Sequence, residues 1–379
     1  MNIRHLELVN FKNYESLKIK FSDKINILYG DNAQGKTNIL EAIYVLALTK
    51  SYRSLLDQEL IKFDQKHSII KGKIFRNEKI EKLEVNIGVF EKKIKKNNKI
   101  VKKYSDYISN LNVILFTPDD LDIIKGSPAI RRKFLNIEIG QLDNTYLEIL
   151  NRYNHLLKTR NEYLKVIGRT KKKDAMYLAI LTDKLIEEAV KIYKYRYKFI
   201  RQLNSKLNTI SRKIIGKTIA IEYSVQKNIL INVRKIKETL KEEYKKNERK
   251  EIMFGSTLVG PHKDDIIFTI DNADIKKYAS QGQQRAAVLS LKLAEIPIFK
   301  KKTESLPILL LDDVLSEFDT EKKNNLLKYI NKNIQTIITT TNIKNIDQKT
   351  LKKAKKFYIE NAKVKLIDEV KENGKEKWI

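Results

Sequence analysis

Cysteine is absent from the 379 residues. That excludes a disulfide framework, a thiolate nucleophile, Cys-ligated zinc and an iron–sulfur cluster, and sets a reducing, cytosolic compartment as the expectation. Proline numbers only 5, and between about residue 121 and residue 253 both it and glycine almost vanish, which leaves long helices room to run. No uncharged apolar run approaches the roughly 18–20 residues that a membrane helix requires. The first twenty residues carry Arg4, Glu7, Lys12, Glu15 and Lys18, so they lack the apolar stretch of a signal peptide. Acidic residues are also in short supply. Asp plus Glu total 47 against 76 Lys plus Arg, a formal net charge of +29. Such a field attracts polyanions, of which nucleic acid is the commonest in a cell. The excess is uneven: Asn151 to Lys250 holds 27 basic and 10 acidic side chains. A lysine-rich genome decorating solvated helix faces is the plainer alternative for that segment.

What is present, at 42% hydrophobic residues, suffices for a sizeable core and more than one domain. Leu17, Ile19 and Phe21 alternate with Lys18 and Lys20, the period of a half-buried strand, and Ile25 to Tyr29 is an apolar run of the fully buried kind. A glycine-bearing loop follows, then Ile39, Ala42, Ile43, Leu46 and Ala47 at helical spacing. Lys71 to Phe90 alternates like strands, and Glu91 to Lys103 contains a Lys-Asn-Asn-Lys turn, which predicts a basic hairpin. From about Asp119 the pattern turns helical: Pro128 is placed to open one helix, and Leu142 to Val166 and Asp174 to Leu207 repeat apolar residues every three or four positions. Beyond Phe254, glycines and short strands return, ending in helix Gln283 to Lys300, strand Ile308 to Leu311, helix Glu321 to Asn331, strand Thr336 to Ile338 and a strand near Phe357 to Ile359. The expected architecture is an α/β domain built from residues 1–120 and 254–379 and split by a helical lobe, 121–253.

Gly30-Asp31-Asn32-Ala33-Gln34-Gly35-Lys36-Thr37 fits G-x-x-x-x-G-K-[ST] between an apolar strand and a helix, the setting of a phosphate-binding P-loop. In it the loop N–H groups and the helix N-terminus wrap the β-phosphate, Lys36 neutralises phosphate oxygens and Thr37 offers its hydroxyl to Mg²⁺. Ile308 to Leu311 then delivers Asp312 and Asp313 to the C-terminal end of a buried strand, where α/β ligands bind. Asp312 is the candidate second holder of Mg²⁺ and Asp313 the candidate to orient attacking water; simple strand termination is the competing reading of the same acids. About thirty residues earlier, Tyr278-Ala279-Ser280-Gln281-Gly282-Gln283-Gln284-Arg285 resembles the signature motif of ATP-binding-cassette (ABC) ATPases through Ser280, Gly282 and Gln283. Ser280-x-x-Gln283 is equally a helix capping box. Ser316, Glu317, Phe318 and Asp319 resemble the D-loop of that superfamily. Where it places a switch histidine this chain has Thr339, Thr340 and Thr341, one of which is the candidate γ-phosphate sensor.

Lys36 and Asp312 are too close in sequence to enclose the long coiled coils of chromosome-organising SMC proteins. Taken with Leu8, Phe11, Asn13 and Tyr14, with Ser51-Tyr52-Arg53-Ser54, with Gly260-Pro261-His262-Lys263-Asp264-Asp265 and with Leu311-Asp312-Asp313-Val314-Leu315-Ser316-Glu317, these motifs resemble the RecF family of bacterial recombination mediators over essentially the whole chain. The resemblance implies an SMC-head-like ABC-type ATPase fold, with Gly30 to Thr37, Asn38, Arg53, Ser280, Gly282 and Gln283 around ATP. It implies Lys36, Asp312 and Asp313 in catalysis and Thr37 and Asp312 on Mg²⁺. It further implies an ATP-dependent homodimer at single-strand gaps or their duplex junctions, reset by slow hydrolysis, working with RecR and RecO to place RecA, in the cytoplasm at the nucleoid and away from membranes. A nuclease-linked ATPase, a transporter energy subunit and a structural chromosome head are the rival classes.

Two groups stand outside the ATP motifs. His262, Asp264 and Asp265 suggest Mn²⁺ or Mg²⁺ ligands, but adjacent acids on a strand point to opposite faces, which favours a structural or interface loop. For DNA phosphates the candidates are Lys92, Lys93, Lys95 and Lys96 on the basic hairpin, and Lys191, Lys194, Arg196 and Lys198 interleaved with Tyr193, Tyr195 and Tyr197, where aromatic rings have unpaired bases to stack on. On a helix those tyrosines fan round several faces, so some belong to a core.

Overall fold

A computed structural model describes residues 1–225, 235–317, 323, 326, 330, 334–343 and 346–367. They gather into two compact units, Met1–Leu121 with Thr209–Gly216 and Ser280–Ile379, and Asp122–Asn208 with Lys217–Ala279.

The first unit has two sheets. In the antiparallel sheet β1 (Asn2–Phe11), β2 (Tyr14–Lys20), β4 (His67–Arg76), β5 (Lys79–Gly88), β6 (Lys92–Lys96) and β7 (Lys99–Ile100) follow the order β2-β1-β4-β5-β6-β7. Its alternation is the one anticipated: Leu17 and Ile19 are buried while Lys18 and Lys20 are exposed. The hairpin β6–β7 turns on Asn97 and Asn98, both with positive φ (50° and 66°), the two-residue turn whose twist suits paired strands. The second sheet runs β15-β14-β3-β13-β12-β8, with β3 (Ile25–Tyr29), β8 (Val113–Phe116), β12 (Ile308–Asp312), β13 (Thr336–Thr340) and β14 (Lys355–Glu360) parallel and β15 (Lys363–Ile367) antiparallel at the edge. Every residue of β12 and β13 is buried, as strands covered on both faces must be. Between the sheets lies α1 (Lys36–Leu48), which touches strands of both. Its burial from Ile39 to Leu48 on every side follows from that sandwiched position.

The second unit carries α2 (Pro128–Leu142), α3 (Asn144–Thr170), most of the 41-residue α4 (Ala175–Ile215) and α5 (Ile236–Phe254). Pro128 opens α2 at its first turn, where its missing N–H costs nothing. Residues 254–279, grouped on sequence grounds with the ATPase half, gather instead with the helices. The reason is a strand that periodicity did not reveal: β9 (Ile219–Ser224) pairs antiparallel with β10 (Asp265–Ile270), which also pairs with β11 (Ala273–Asp274). The chain re-enters the first unit at Ser280, where α6 (Gln281–Thr303) begins. Most of the helix expected from Glu321 to Asn331, together with Phe318 and Asp319, lies outside the described residues.

Candidate nucleotide site and nucleic-acid surfaces

β3 ends at Tyr29 and α1 starts at Lys36, so Gly30 to Gly35 form the loop that turns the chain from sheet into helix. Asp31, Asn32 and Ala33 form its exposed crest. Gly35 has φ 110°, and a Cβ there would lie 2.7 Å from the Asn13 amide and 2.8 Å from the Tyr14 hydroxyl, so only glycine fits beneath these two side chains. Tyr14 donates to the Gly35 carbonyl at 3.2 Å, and Asn38 Nδ2 to Asn13 Oδ1 at 2.8 Å. The β1–β2 turn thus buttresses the loop. Its other side is clasped by the β14–β15 turn, where the Asn361 N–H donates to Gln34 Oε1 at 2.5 Å and the Ala362 N–H to the Gln34 carbonyl at 3.2 Å. Arg53 donates to Asn38 Oδ1 at 3.4 Å and lies 3.7 Å from the fully buried Glu41 carboxylate.

Lys36 is buried, its Nζ donating to the carbonyls of Gly30 at 2.7 Å and Asp31 at 2.6 Å. Burial lowers its pKa, and the carboxylates of Asp313, Asp31 and Asp312 oppose that shift. At the end of β12, Asp312 Oδ1 accepts from Thr37 Oγ1 at 2.9 Å and from Thr339 Oγ1 at 2.7 Å, while Tyr52 OH reaches Oδ2 at 3.3 Å. The same Thr339 hydroxyl accepts from the Asp313 N–H at 2.9 Å, and Asp313 has φ 50°. One threonine therefore ties both acids together. Tyr52 keeps its proton because burial, then the Asp312 charge, raises its pKa. Thr340 instead donates to the Asn342 carbonyl at 3.2 Å, and Thr341 is exposed. Thr37 and Asp312 give adjacent hard oxygens, the donor type Mg²⁺ takes alongside substrate phosphates, and Lys36 sets a cation beside them. The residues fit Mg-ATP.

Ser280 caps α6 in a full capping box, its Oγ accepting from the Gln283 N–H at 3.3 Å while Gln283 Oε1 accepts from the Ser280 N–H at 3.0 Å. Ser280 and Gly282 are exposed, and a Cβ on Gly282 would meet nothing within 4 Å. Among the described residues this helix start bonds within itself and not to the P-loop.

The family model described as RecF/RecN/SMC N terminal domain matches residues 2–365. The DNA replication and repair protein RecF of Bacillus mycoides is 41% identical over 368 residues, covering 96% of this chain and 98% of the relative; that of Ligilactobacillus salivarius is 41% identical, covering 96% and 97%. The chain belongs to the RecF family. A solved structure of the recombination mediator RecF with ATP, from the RecFOR pathway, superposes with a TM-score of 0.88 at 32% identity, covering 97% of each chain. An Smc head domain from Pyrococcus furiosus, at 16% identity and a TM-score of 0.54 over 96% of this chain and 95% of that one, shares the fold. The α/β, SMC-head-like ABC ATPase class expected of the sequence is that of the RecF family.

The four lysines of the basic hairpin are all ion-paired, Lys95 and Lys96 across the sheet. Lys92 lies 2.6 Å from Asp57 and donates to the Thr49 carbonyl at 2.6 Å; Lys93 meets Glu91 at 2.6 Å, Lys95 meets Glu84 at 2.9 Å and Lys96 meets Glu81 at 3.1 Å. A strand read alone does not show the acids that face it. On α4, Lys194 and Lys198 are exposed and Lys191 is paired with Glu188 at 2.6 Å. Arg196 requires a correction: it is 2% exposed and donates to the Pro261 carbonyl at 2.6 Å, Tyr223 OH and Asn136 Oδ1 at 3.1 Å and Tyr146 OH at 3.3 Å. It is a core arginine, unable to reach phosphate from there.

His262 and the two acids after it go three ways. His262 pairs with Tyr153 OH at 2.6 Å and the Thr257 carbonyl at 3.1 Å; Asp264 accepts from Tyr223 OH at 2.6 Å and Tyr193 OH at 3.4 Å; Asp265 forms a two-pronged pair with Arg131 at 2.6 and 2.8 Å. They join α2, α3, α4 and β9 to β10. Burial lowers the His262 pKa to about 4, below the ~6.5 of an exposed histidine. The unfolded chain therefore binds the extra proton, and this contribution to stability is full above about pH 6.5 and lost toward pH 4. Asp264, raised by burial to about 6, acts with the opposite sign from about pH 4 to pH 6. Removing the histidine while keeping Asp264 separates the two. Urea denaturation of His262→Gln against wild type should show the stability gap shrinking from pH 7 to pH 4.5 by roughly 3 kcal/mol at most; a gap independent of pH would contradict a neutral, buried imidazole.

Proposed function

We propose that this protein is an ATP-switched DNA-binding repair ATPase that dimerises on ATP and acts at single-strand gaps. The observation that carries the reading is the joint of Thr37, Asp312 and Thr339, two hydroxyls donating to one carboxylate oxygen at 2.9 and 2.7 Å, set beside Lys36 at the C-terminal ends of parallel strands. When bound there, Mg²⁺ neutralises charge on the ATP phosphates. Lys36 and the loop N–H groups hold the β- and γ-phosphates, Thr37 and Asp312 hold the cation, and Asp313 is placed to orient attacking water. Thr339, locking both acids, takes the γ-phosphate sensing position. The names of the relatives and of the ATP-bound structure support a DNA repair role in a RecFOR-type pathway. In the proposed role RecR and RecO are the partners, RecA loading is the outcome and the protein works in the cytoplasm at the nucleoid. Hydrolysis is slow and resets the dimer. The net charge of +29 supports attraction to DNA.

Ser280, exposed at a helix N-terminus, suits capture of a γ-phosphate held by a second copy. In Ser280→Ala, ATP binding to a monomer should persist, the lost cap should cost about 1 kcal/mol, and the ATP-dependent dimer seen in sedimentation should weaken at least about tenfold. A normal dimer would remove Ser280 from the interface.

The test of the whole reading is fluorescence anisotropy on a gapped duplex at fixed near-physiological salt, with Mg-ATP and without nucleotide. Affinity that rises with ATP supports the switch. Equal affinity in both, decaying with salt, reduces the charge to non-specific attraction and overturns it.

A further inference from the structure

The C-terminal turns of α3 and α5 meet around an open concavity of about 510 Å³ lined by Lys165, Arg169, Lys171, Arg249, Met253 and Phe254. Two glycines bring the helices together there. A Cβ on Gly168 would lie 3.0 Å from the Ile252 carbonyl, and one on Gly255, which ends α5 with φ 60°, would lie 2.6 Å from Lys165 Cγ. The Lys165 stem is thereby seated on the α5 terminus. Lys165 and Arg169 are one helical turn apart on the same face, and Lys171 continues the row from a left-handed cap at φ 59°. Leu164, Ile167 and Leu178 form a buried cluster at this end of α3 and α4, with Ile252 packed on it.

The four cations are exposed, and none has an ion pair to a carboxylate among the described residues. Acids near them in sequence are engaged elsewhere: Glu162 with Lys158 at 3.9 Å, Asp174 with the Tyr177 N–H at 2.9 Å, Glu248 with Lys173 at 2.5 Å and Glu251 with Arg160 at 2.7 Å. Four like charges about one concavity repel one another and favour an anion between them. Beside them Met253 is 71% and Phe254 61% exposed, large apolar side chains that water does not reward. Exposed cations beside an exposed aromatic ring are the two parts from which single-strand sites are built.

We propose that this tip of the helical unit binds single-stranded DNA, with Lys165, Arg169, Lys171 and Arg249 on successive phosphates and Phe254 stacked on an unpaired base. The site rests on the DNA-binding reading above and gives it a location away from the ATP loop. Basic residues also complement the negative ends of helices, which is the structural alternative.

The full chain with Mg-ATP is titrated onto a fluorescein-labelled oligo-dT strand and onto an abasic strand of equal length, over a range of salt. Arg169→Ala with Arg249→Ala should reduce the slope of log K against log salt by about 1.4, the share of two single-strand phosphates. Phe254→Ala should weaken oligo-dT by about fivefold or more, the low end for a base stacked on an aromatic ring, and leave the abasic strand unchanged. Unaltered slopes with a lowered melting temperature assign the cations to the helix ends and overturn the site. Poly-glutamate competing as well as oligo-dT, with Phe254→Ala weakening both, makes it a dock for an acidic protein and overturns it too. Wild-type protein that binds neither strand nor gapped duplex refutes the DNA reading itself, whereas variants that bind like wild type refute only this site.

Discussion

Lys36→Arg is expected to lower ATP hydrolysis by about 10²-fold or more, the scale on which single preorganised charge contacts act, and to erase any gain in DNA affinity on adding ATP. The amine is buried and aimed by two carbonyls of its own loop at 2.6 and 2.7 Å. A guanidinium is a wide planar fork and cannot place a point charge in the same space. Because Arg still supplies donors to those carbonyls, the thermal melt should stay near that of wild type. Phosphate release at saturating Mg-ATP measures the first effect and anisotropy on gapped duplex the second. Hydrolysis within a few-fold of wild type would place the phosphate contact elsewhere in the loop.

Arg196→Met is expected to destabilise the protein by about 3–5 kcal/mol, because it strips the positive partner from a buried carboxylate. Asp264 is 1% exposed with its nearest Arg196 nitrogen at 3.9 Å, and the Pro261 carbonyl and three side-chain oxygens lose a donor as well. Urea denaturation at pH 7 reads this directly. Removing the whole pair with Asp264→Leu should return part of the loss, since a buried pair replaced by apolar groups is often neutral. The exposed Lys194→Ala and Lys198→Ala variants should leave stability within about 0.5 kcal/mol. An Arg196 variant that kept full stability yet lost DNA affinity would reinstate it as a surface contact.

The nucleotide loop was legible in the sequence because its chemistry is local: a glycine pattern between an apolar strand and a helix demands one geometry. The acidic strand was legible for a similar reason, since four apolar residues ending in Asp312 and Asp313 describe a strand buried on both faces. What joins them was not. Tyr52, Thr339 and the Gln34 clasp depend on which strands lie side by side, and the order β14-β3-β13-β12 brings together segments hundreds of residues apart. Thr339 stood in a run of three threonines with nothing local to single it out; only its place opposite Asp312 in the β12–β13 register does so. The ion pairs of the hairpin lysines were likewise not legible from one strand at a time. Glu81 and Glu84 were visible on the preceding strand, and pairing β5 with β6 in register, Glu84 opposite Lys95, would have exposed the neutralisation. Arg196 fell to a different ambiguity, because Tyr-Lys-Tyr-Arg-Tyr-Lys on a long helix has the same letters whether the arginine faces a core or solvent.

The clasp on Gln34 and the bond from Thr37 to Asp312 also set a timetable for synthesis. Thr37 and Asp312 are 275 positions apart and Gln34 and Asn361 are 327 apart. At roughly 5–20 residues per second, a ribosome makes the phosphate loop about 14–55 s before it makes the carboxylate that completes it. Throughout that interval the nascent chain carries the motif without the means to use it, and the β14–β15 hairpin, made after Asp312, closes the clasp on Gln34 later still.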